Sequence, residues 1–163
     1  MKKYHILVVI LLAAAALSTW LYFTSDTRQI RSQLDTLTEL SEKNGPEQGI
    51  EALSRAAAIG KLFSEQCTLQ LEEYGHRGTY YRKDIMDTVF MVRNRSHQIT
   101  LKMYDITIAV EKSTHATIAL TLHLSGVVEE ERAVDVSEIA LTMKKEEGDW
   151  LIDSVTVVQV LER

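Results

Sequence analysis

Residues 117–125 read TIALTLHLS, with an apolar side chain at nearly every second position: Ile118, Leu120, Leu122 and Leu124, against Thr117, Thr121, His123 and Ser125. A strand projects successive side chains to opposite faces, so this alternation describes a β-strand with one dry side and one wet side. The same period extends in both directions. Upstream, Ile99, Leu101 and Met103 share a face, and Ile106, Ile108 and Val110 resume it after a slip at Tyr104-Asp105, the mark of a β-bulge. Downstream, Val134 and Val136 give way to Ile139, Leu141 and Met143 across Ser137-Glu138, which reads as a second bulge. Glu146-Glu147-Gly148-Asp149 is a hairpin turn. Trp150, Ile152 and the unbroken run Val155–Val158 then form a last strand, expected to be central and covered on both faces. Four long strands from Gln98 onward make a sheet that the two bulges would curve.

Ahead of the sheet the period changes to that of helices. Ile30, Leu34, Leu37 and Leu40 recur at helical spacing, with Ser25 or Asp26 placed to cap the helix and Asn44-Gly45-Pro46 to stop it. A second helix is expected over residues 47–64, with Ile50, Leu53, Ala57 and Gly60 on one stripe and small residues that admit close approach to another element. Cys67, Leu69 and Leu71 alternate with Thr68, Gln70 and Glu72 as a half-buried strand. Gly75–Gly78 reads as a turn, and Thr79 as the cap of a third helix over residues 80–95 that turns Ile85, Met86, Val89 and Phe90 inward. Helices first and antiparallel strands after them define an α+β domain, three helices packed on a curved, mainly antiparallel sheet.

Before this domain lies Ile6–Phe23, interrupted only by Ser18 and Thr19, with Lys2 and Lys3 ahead of it and Trp20, Tyr22 and Phe23 closing it. That pattern predicts an N-terminal transmembrane helix: residues 1–25 a membrane anchor with a short cytoplasmic tail, residues 26–163 the globular domain. The expected placement is single-pass in a bacterial inner membrane with the C-terminal domain periplasmic. The competing reading is a cleaved signal peptide, with Ile6–Leu12 as its apolar core and Ala14-Ala15-Ala16 as its cleavage site. The apolar run continues past Ala16 through Leu17 and Leu21, which favours the anchor.

Composition narrows the function classes. The 163 residues are 45% hydrophobic and 25% charged, with one proline, as in a folded domain. Net charge is −5, and leaving out Lys2 and Lys3 makes it −7, so the domain repels phosphate backbones and nucleic-acid binding is not expected. The lone Cys67 allows no internal disulfide and no multi-cysteine metal site, and its alternating context reads as a small buried hydrophobe. His76, His97, His115 and His123 lack metal-ligand spacing, and no nucleotide- or phosphate-binding motif occurs, so neither a metal nor a cofactor is expected.

The order of elements, together with LFSEQCTLQL (62–71), HRGTYYRKDIMDTVF (76–90) and KKEEGDWLIDSVTV (144–157), resembles the nuclear transport factor 2-like superfamily, which includes SnoaL-like polyketide cyclases and ketosteroid isomerases. The resemblance covers residues 28–161 and implies a cone-shaped domain. In isomerase-like members the first strand carries a catalytic aspartate, and that position falls here at Leu71, an aliphatic side chain that cannot accept a proton from carbon. Members of the superfold also serve as periplasmic scaffold domains of type IV secretion systems, and members often pair through the outer sheet face, where Thr117, Thr121 and His123 would lie.

Candidate chemistry is sparse. Asp105 and Glu138 stand at the two phase slips; both turned into the cone, they could share a proton, whereas turned out they are ordinary solvated bulge residues. Leu71, Tyr80, Phe90 and Tyr104 are the candidate ligand-contacting side chains, and Tyr74, Tyr80 and Tyr81 cluster near the start of the third helix, where they either rim a cavity or, as the favoured reading, pack the cone's open end. Two functions remain. The first is a membrane-tethered, non-enzymatic binding or assembly module of the bacterial envelope, with an envelope protein or a second copy as partner. The alternative is a protein that binds a small hydrophobic molecule in the cone, or an enzyme that transforms it there. The size and lining of the cone cavity discriminate between them.

Overall fold

The computed structural model describes the backbone of residues 2–128 and 131–162, and the side chains there apart from those of residues 2–10, 16, 19, 22–24 and 128. Helix α1 (Lys2–Ser41) leads through a two-residue strand β1 (Lys43–Asn44) to α2 (Gly49–Gly60) and β2 (Phe63–Leu71). A 3-10 turn (Glu72–Tyr74) precedes β3 (His76–Tyr81) and α3 (Arg82–Arg95). The strands β4 (Ser96–Lys112), β5 (His115–Val128), β6 (Glu131–Glu146) and β7 (Asp149–Glu162) complete the chain. They form one seven-stranded sheet in the order β1-β4-β5-β6-β7-β2-β3, antiparallel throughout except where β2 runs parallel to β7. The architecture is the expected α+β cone. The three helices are joined by the 3-10 turn, and the sheet gains β1 and β3 at its two edges.

The expected transmembrane helix is not found. Among the described residues, no helix is long and apolar enough to cross a membrane. Within Ile6–Phe23 the side chains of residues 6–10, 16, 19, 22 and 23 lie outside the described set, and Leu11, Leu12, Leu17, Trp20 and Leu21 are exposed. Helix α1 runs unbroken through residue 25. Asp26 does not cap a new helix. It is buried on the sheet-facing side of α1, where its Oδ1 accepts hydrogen bonds from Lys145 Nζ (2.7 Å) and Trp150 Nε1 (3.2 Å). Ile30 and Leu34 follow at four-residue steps, both fully buried, so a single stripe docks the second half of α1 on the domain.

The core is made by the inward faces of the long strands. Leu101, Ile118, Leu120, Ile139, Leu141, Met143, Trp150 and Ile152 pack against Ile30, Leu34, Cys67 and Ile85. In β4 the phase slip is where the sequence places it: register shifts between Tyr104 and Thr107, with Asp105 at φ 53°. The extra residue returns Ile106, Ile108 and Val110 to the face of Leu101 and Met103. The hairpin between β6 and β7 turns on Glu147 and Gly148, both at positive φ, as a tight two-residue connection requires.

Two readings of the sheet need correction. No bulge separates Val136 from Ile139 against β5, since β5 and β6 pair without a shift along their whole length. The irregularities are on the other side of β6, where β7 carries the surplus residues. Val134 and Val136 therefore face outward, and Asp135 and Ser137 share the inward face of Ile139 and Leu141. Strand β7 is interior to the sheet, yet Val158 is exposed, so the run Val155–Val158 is not covered on both faces along its whole length.

The middle of the chain differs in detail. Helix α2 stops at Gly60, and its buried stripe is Ala52, Ala56, Ile59 and Gly60, with Ile50 and Leu53 exposed. The small residues do permit close approach: a β-carbon on Gly60 would stand 2.3 Å from Met86 Cγ of α3. Gly78 and Thr79 belong to β3, opposite Leu69 and Thr68, and α3 is capped by Tyr81, whose backbone N–H donates to Asp84 Oδ2 (3.0 Å).

Candidate functional site

Between the helices and the concave face of the sheet lies a cavity of about 410 Å³. Its floor is aliphatic: Leu101, Met103, Leu120, Leu122, Ile139, Leu141, Ile152 and Val155 from the strands. Leu37 of α1, Ile59 of α2, Phe63 and Leu71 of β2, and Val89 and Val92 of α3 close the other side. Inward parity on four neighbouring strands supplies this lining, and the β4 bulge preserves it past Asp105.

One polar cluster interrupts the apolar wall. Asp135 and Ser137 are consecutive inward residues of β6, facing Leu124 and Leu122 across the ladder, and Tyr74 reaches them from the 3-10 turn. The Tyr74 hydroxyl donates to Asp135 Oδ2 (2.5 Å) and the Ser137 hydroxyl to Asp135 Oδ1 (2.7 Å), with the two hydroxyl oxygens 3.2 Å apart. Ser137 is buried, Asp135 half-buried, and Tyr74 and Leu124 exposed at their outer edges, so the cluster sits near the opening of the cavity rather than at its floor.

Arg93 of α3 also lines the cavity, but its guanidinium is committed elsewhere. Its five N–H groups donate to Glu47 Oε1 (2.8 Å) and Oε2 (3.0 Å) and to the carbonyls of Leu40 (3.0 Å), Ser41 (3.1 Å) and Glu42 (3.1 Å). That satisfies the carbonyls left open at the end of α1 and uses every donor the side chain has. Hydrogen bonding from Arg93 is the largest influence holding the Glu47 carboxyl below its ordinary 4.5, reinforced by the charges of Arg93, Lys43 and Arg55 and opposed by burial. Lys43 is buried beside them and donates to the carbonyls of Arg93 (2.6 Å) and Ser96 (2.7 Å).

The residues singled out from sequence fall in different places. Leu71 lines the cavity. Tyr80 packs against the core and its hydroxyl meets His76 Nδ1 (3.2 Å), while Phe90 is half-buried on α3 and not among the lining residues. Tyr104 stands on the outer face of β4, its ring edge-on to His123. Asp105 and Glu138 are both exposed on that outer face, one on each side of Thr121, whose hydroxyl donates weakly to Asp105 (3.4 Å). Neither points into the cone. Cys67 is fully buried, and burial pushes its thiol up to about 12, so it behaves as a small apolar side chain. Among the described residues, no group of His, Cys, Asp or Glu is placed to hold a metal.

The sequence reading named Tyr74 as a residue of a cavity rim or of the packing at the cone's open end, and missed Asp135 and Ser137. Counting back in twos from Ile139 would have found the last two: a strand that stays in phase puts Ser137 and Asp135 on the cavity face.

No family model matches the sequence, and no curated protein matches it. Solved structures do. A scytalone dehydratase-like protein from Novosphingobium aromaticivorans is 14% identical over 86% of this chain and 87% of its own, with a TM-score of 0.67. A hexachlorocyclohexane dehydrochlorinase from Novosphingobium barchaimii is 12% identical over 87% and 90%, with a TM-score of 0.65. A nuclear transport factor 2-like protein from Novosphingobium aromaticivorans is 17% identical over 90% and 88%, with a TM-score of 0.65. The chain has the nuclear transport factor 2-like fold. Identities this low establish the fold and leave the activity to this chain's own residues.

Proposed function

We propose that the chain binds a small, mainly apolar molecule in the cone cavity, with its polar end against Tyr74, Asp135 and Ser137. The observation that carries this reading is the cavity itself. Its volume of about 410 Å³ falls within the range of small-molecule sites, its walls are mainly apolar, and Tyr74, Asp135 and Ser137 form one hydrogen-bonded polar cluster on them. A domain built only for assembly would gain stability by filling that space, because an empty apolar cavity costs the contacts its lining would otherwise make. Two structural neighbours bear the names of a dehydratase and a dehydrochlorinase, activities on small molecules, which supports the same use of the cone. One carboxylate and no histidine or lysine line the wall, a lining better suited to holding a ligand than to an acid–base pair.

The fluorescence of N-phenylnaphthylamine, a neutral apolar probe that brightens in dry surroundings, tests this. The wild-type chain is expected to bind it saturably. Leu122→Trp, which places an indole in the cavity, is expected to weaken binding at least about tenfold while leaving the circular dichroism of the fold unchanged. Equal probe binding by the folded tryptophan variant would place the probe on the surface and overturn the reading.

A further inference from the structure

Resting on that reading of the cavity, we infer that its ligand carries a protonated amine as its polar end. The hydroxyls of Tyr74 and Ser137 each have one proton, and both are donated to Asp135. What Asp135 and Ser137 show to a guest is therefore the remaining lone pairs of one carboxylate and one hydroxyl oxygen, all acceptors. A ligand carbonyl or carboxylate would meet oxygen against oxygen. A ligand N–H or O–H finds a partner.

Charge then separates amines from alcohols. Asp135 forms no ion pair among the described residues, and the one cation on the cavity wall, Arg93, has all five donors taken by Glu47 and the end of α1. The wall thus carries one uncompensated negative charge. A neutral guest would strip water from the half-buried carboxylate and return no charge, whereas an ammonium group replaces that water with a charge-assisted hydrogen bond. Position agrees with this. The cluster sits at the cavity mouth beside exposed Leu124, so a cationic head stays partly hydrated while the apolar body reaches the floor of Leu101, Leu120 and Ile152.

The test is displacement of bound N-phenylnaphthylamine at neutral pH by three matched competitors: cyclohexylamine, cyclohexanol and cyclohexanecarboxylate. The amine is expected to displace the probe at about a tenfold lower concentration than the alcohol, and the carboxylate to be weakest. Asp135→Asn should bring amine and alcohol to within about twofold, while Ser137→Ala, which keeps the carboxylate, should retain the amine preference. Added salt should erode the amine's advantage in the wild-type chain, a measurement that needs no variant to fold. Amine and alcohol ranking alike, or carboxylate ranking first, overturns the head-group inference and leaves the cavity reading standing. Failure of the wild-type chain to take up the probe overturns both.

Discussion

Arg93 shows how much one side chain can hold together. It is 2% exposed, and its guanidinium joins the end of α1 to Glu47 at the approach to α2 while its own helix forms part of the cavity wall. Removing it leaves a buried carboxylate and three open carbonyls. Arg93→Met is therefore expected to cost about 3–5 kcal/mol in urea unfolding, and Glu47→Gln, which keeps shape and some hydrogen bonding, about 1–3 kcal/mol. The two also differ in pH dependence. Arg93 holds the Glu47 carboxyl below its ordinary 4.5, so the ionised form is favoured in the folded state. The stability it contributes is complete above that ordinary value and is lost as pH falls through the lower folded one. Wild-type and Glu47→Gln chains should thus differ most above the ordinary 4.5 and converge as pH falls below it. A gap that stays constant across that range would show that the charge of Glu47 does not matter to folding.

At the scale of elements, the α2–α3 contact is set by the absence of a side chain. Gly60 lies where a β-carbon would meet Met86 Cγ at 2.3 Å and Sδ at 2.8 Å. Alanine favours a helix by about 1 kcal/mol over glycine, yet overpacking costs about 1–3 kcal/mol, so Gly60→Ala should be neutral to destabilising. Adding Met86→Ala to that variant should cost less than Met86→Ala alone, and a double-mutant cycle reads the difference directly. Simple additivity would mean that the helices can slide apart. Here the sequence was informative: small residues along α2 announced a close neighbour, although the exposed Ile50 and Leu53 showed the stripe to be rotated from the one drawn. Strand β5 was legible because one face is buried and the other wet. The Asp105 bulge was legible because apolar side chains resume on the far side of it. Strand β6 was misread for a physical reason. Asp135 and Ser137 face inward and Val134 and Val136 outward, so the hydrophobic pattern inverts beside the cavity. Strand β3 was hidden in a Gly-containing stretch that pairs only at the sheet edge.

Across the whole molecule, Cys67 reports on the cavity without lining it. Its thiol is fully buried on β2, a strand bonded to β7 on one side and β3 on the other, and burial pushes it up to about 12. A disulfide reagent needs an accessible thiolate, so labelling requires the sheet to open at β2. The cavity floor is built on the same sheet, with Ile152 and Val155 of β7 and Phe63 and Leu71 of β2 among its walls. An opening that exposes Cys67 therefore takes the cavity apart. Any ligand that binds only the closed form reduces the open population by the factor one plus its concentration over Kd. At a hundred times Kd, labelling of Cys67 by dithionitrobenzoate should slow by about a hundredfold, equivalent to about 2.7 kcal/mol, as long as reclosing outpaces the reagent. The Leu122→Trp chain, which binds at least about tenfold more weakly, should show at most about tenfold protection at the same concentration of the same compound. Protection of that variant equal to the wild type's, or none in the wild type, would mean that binding and sheet opening are not coupled through the cone.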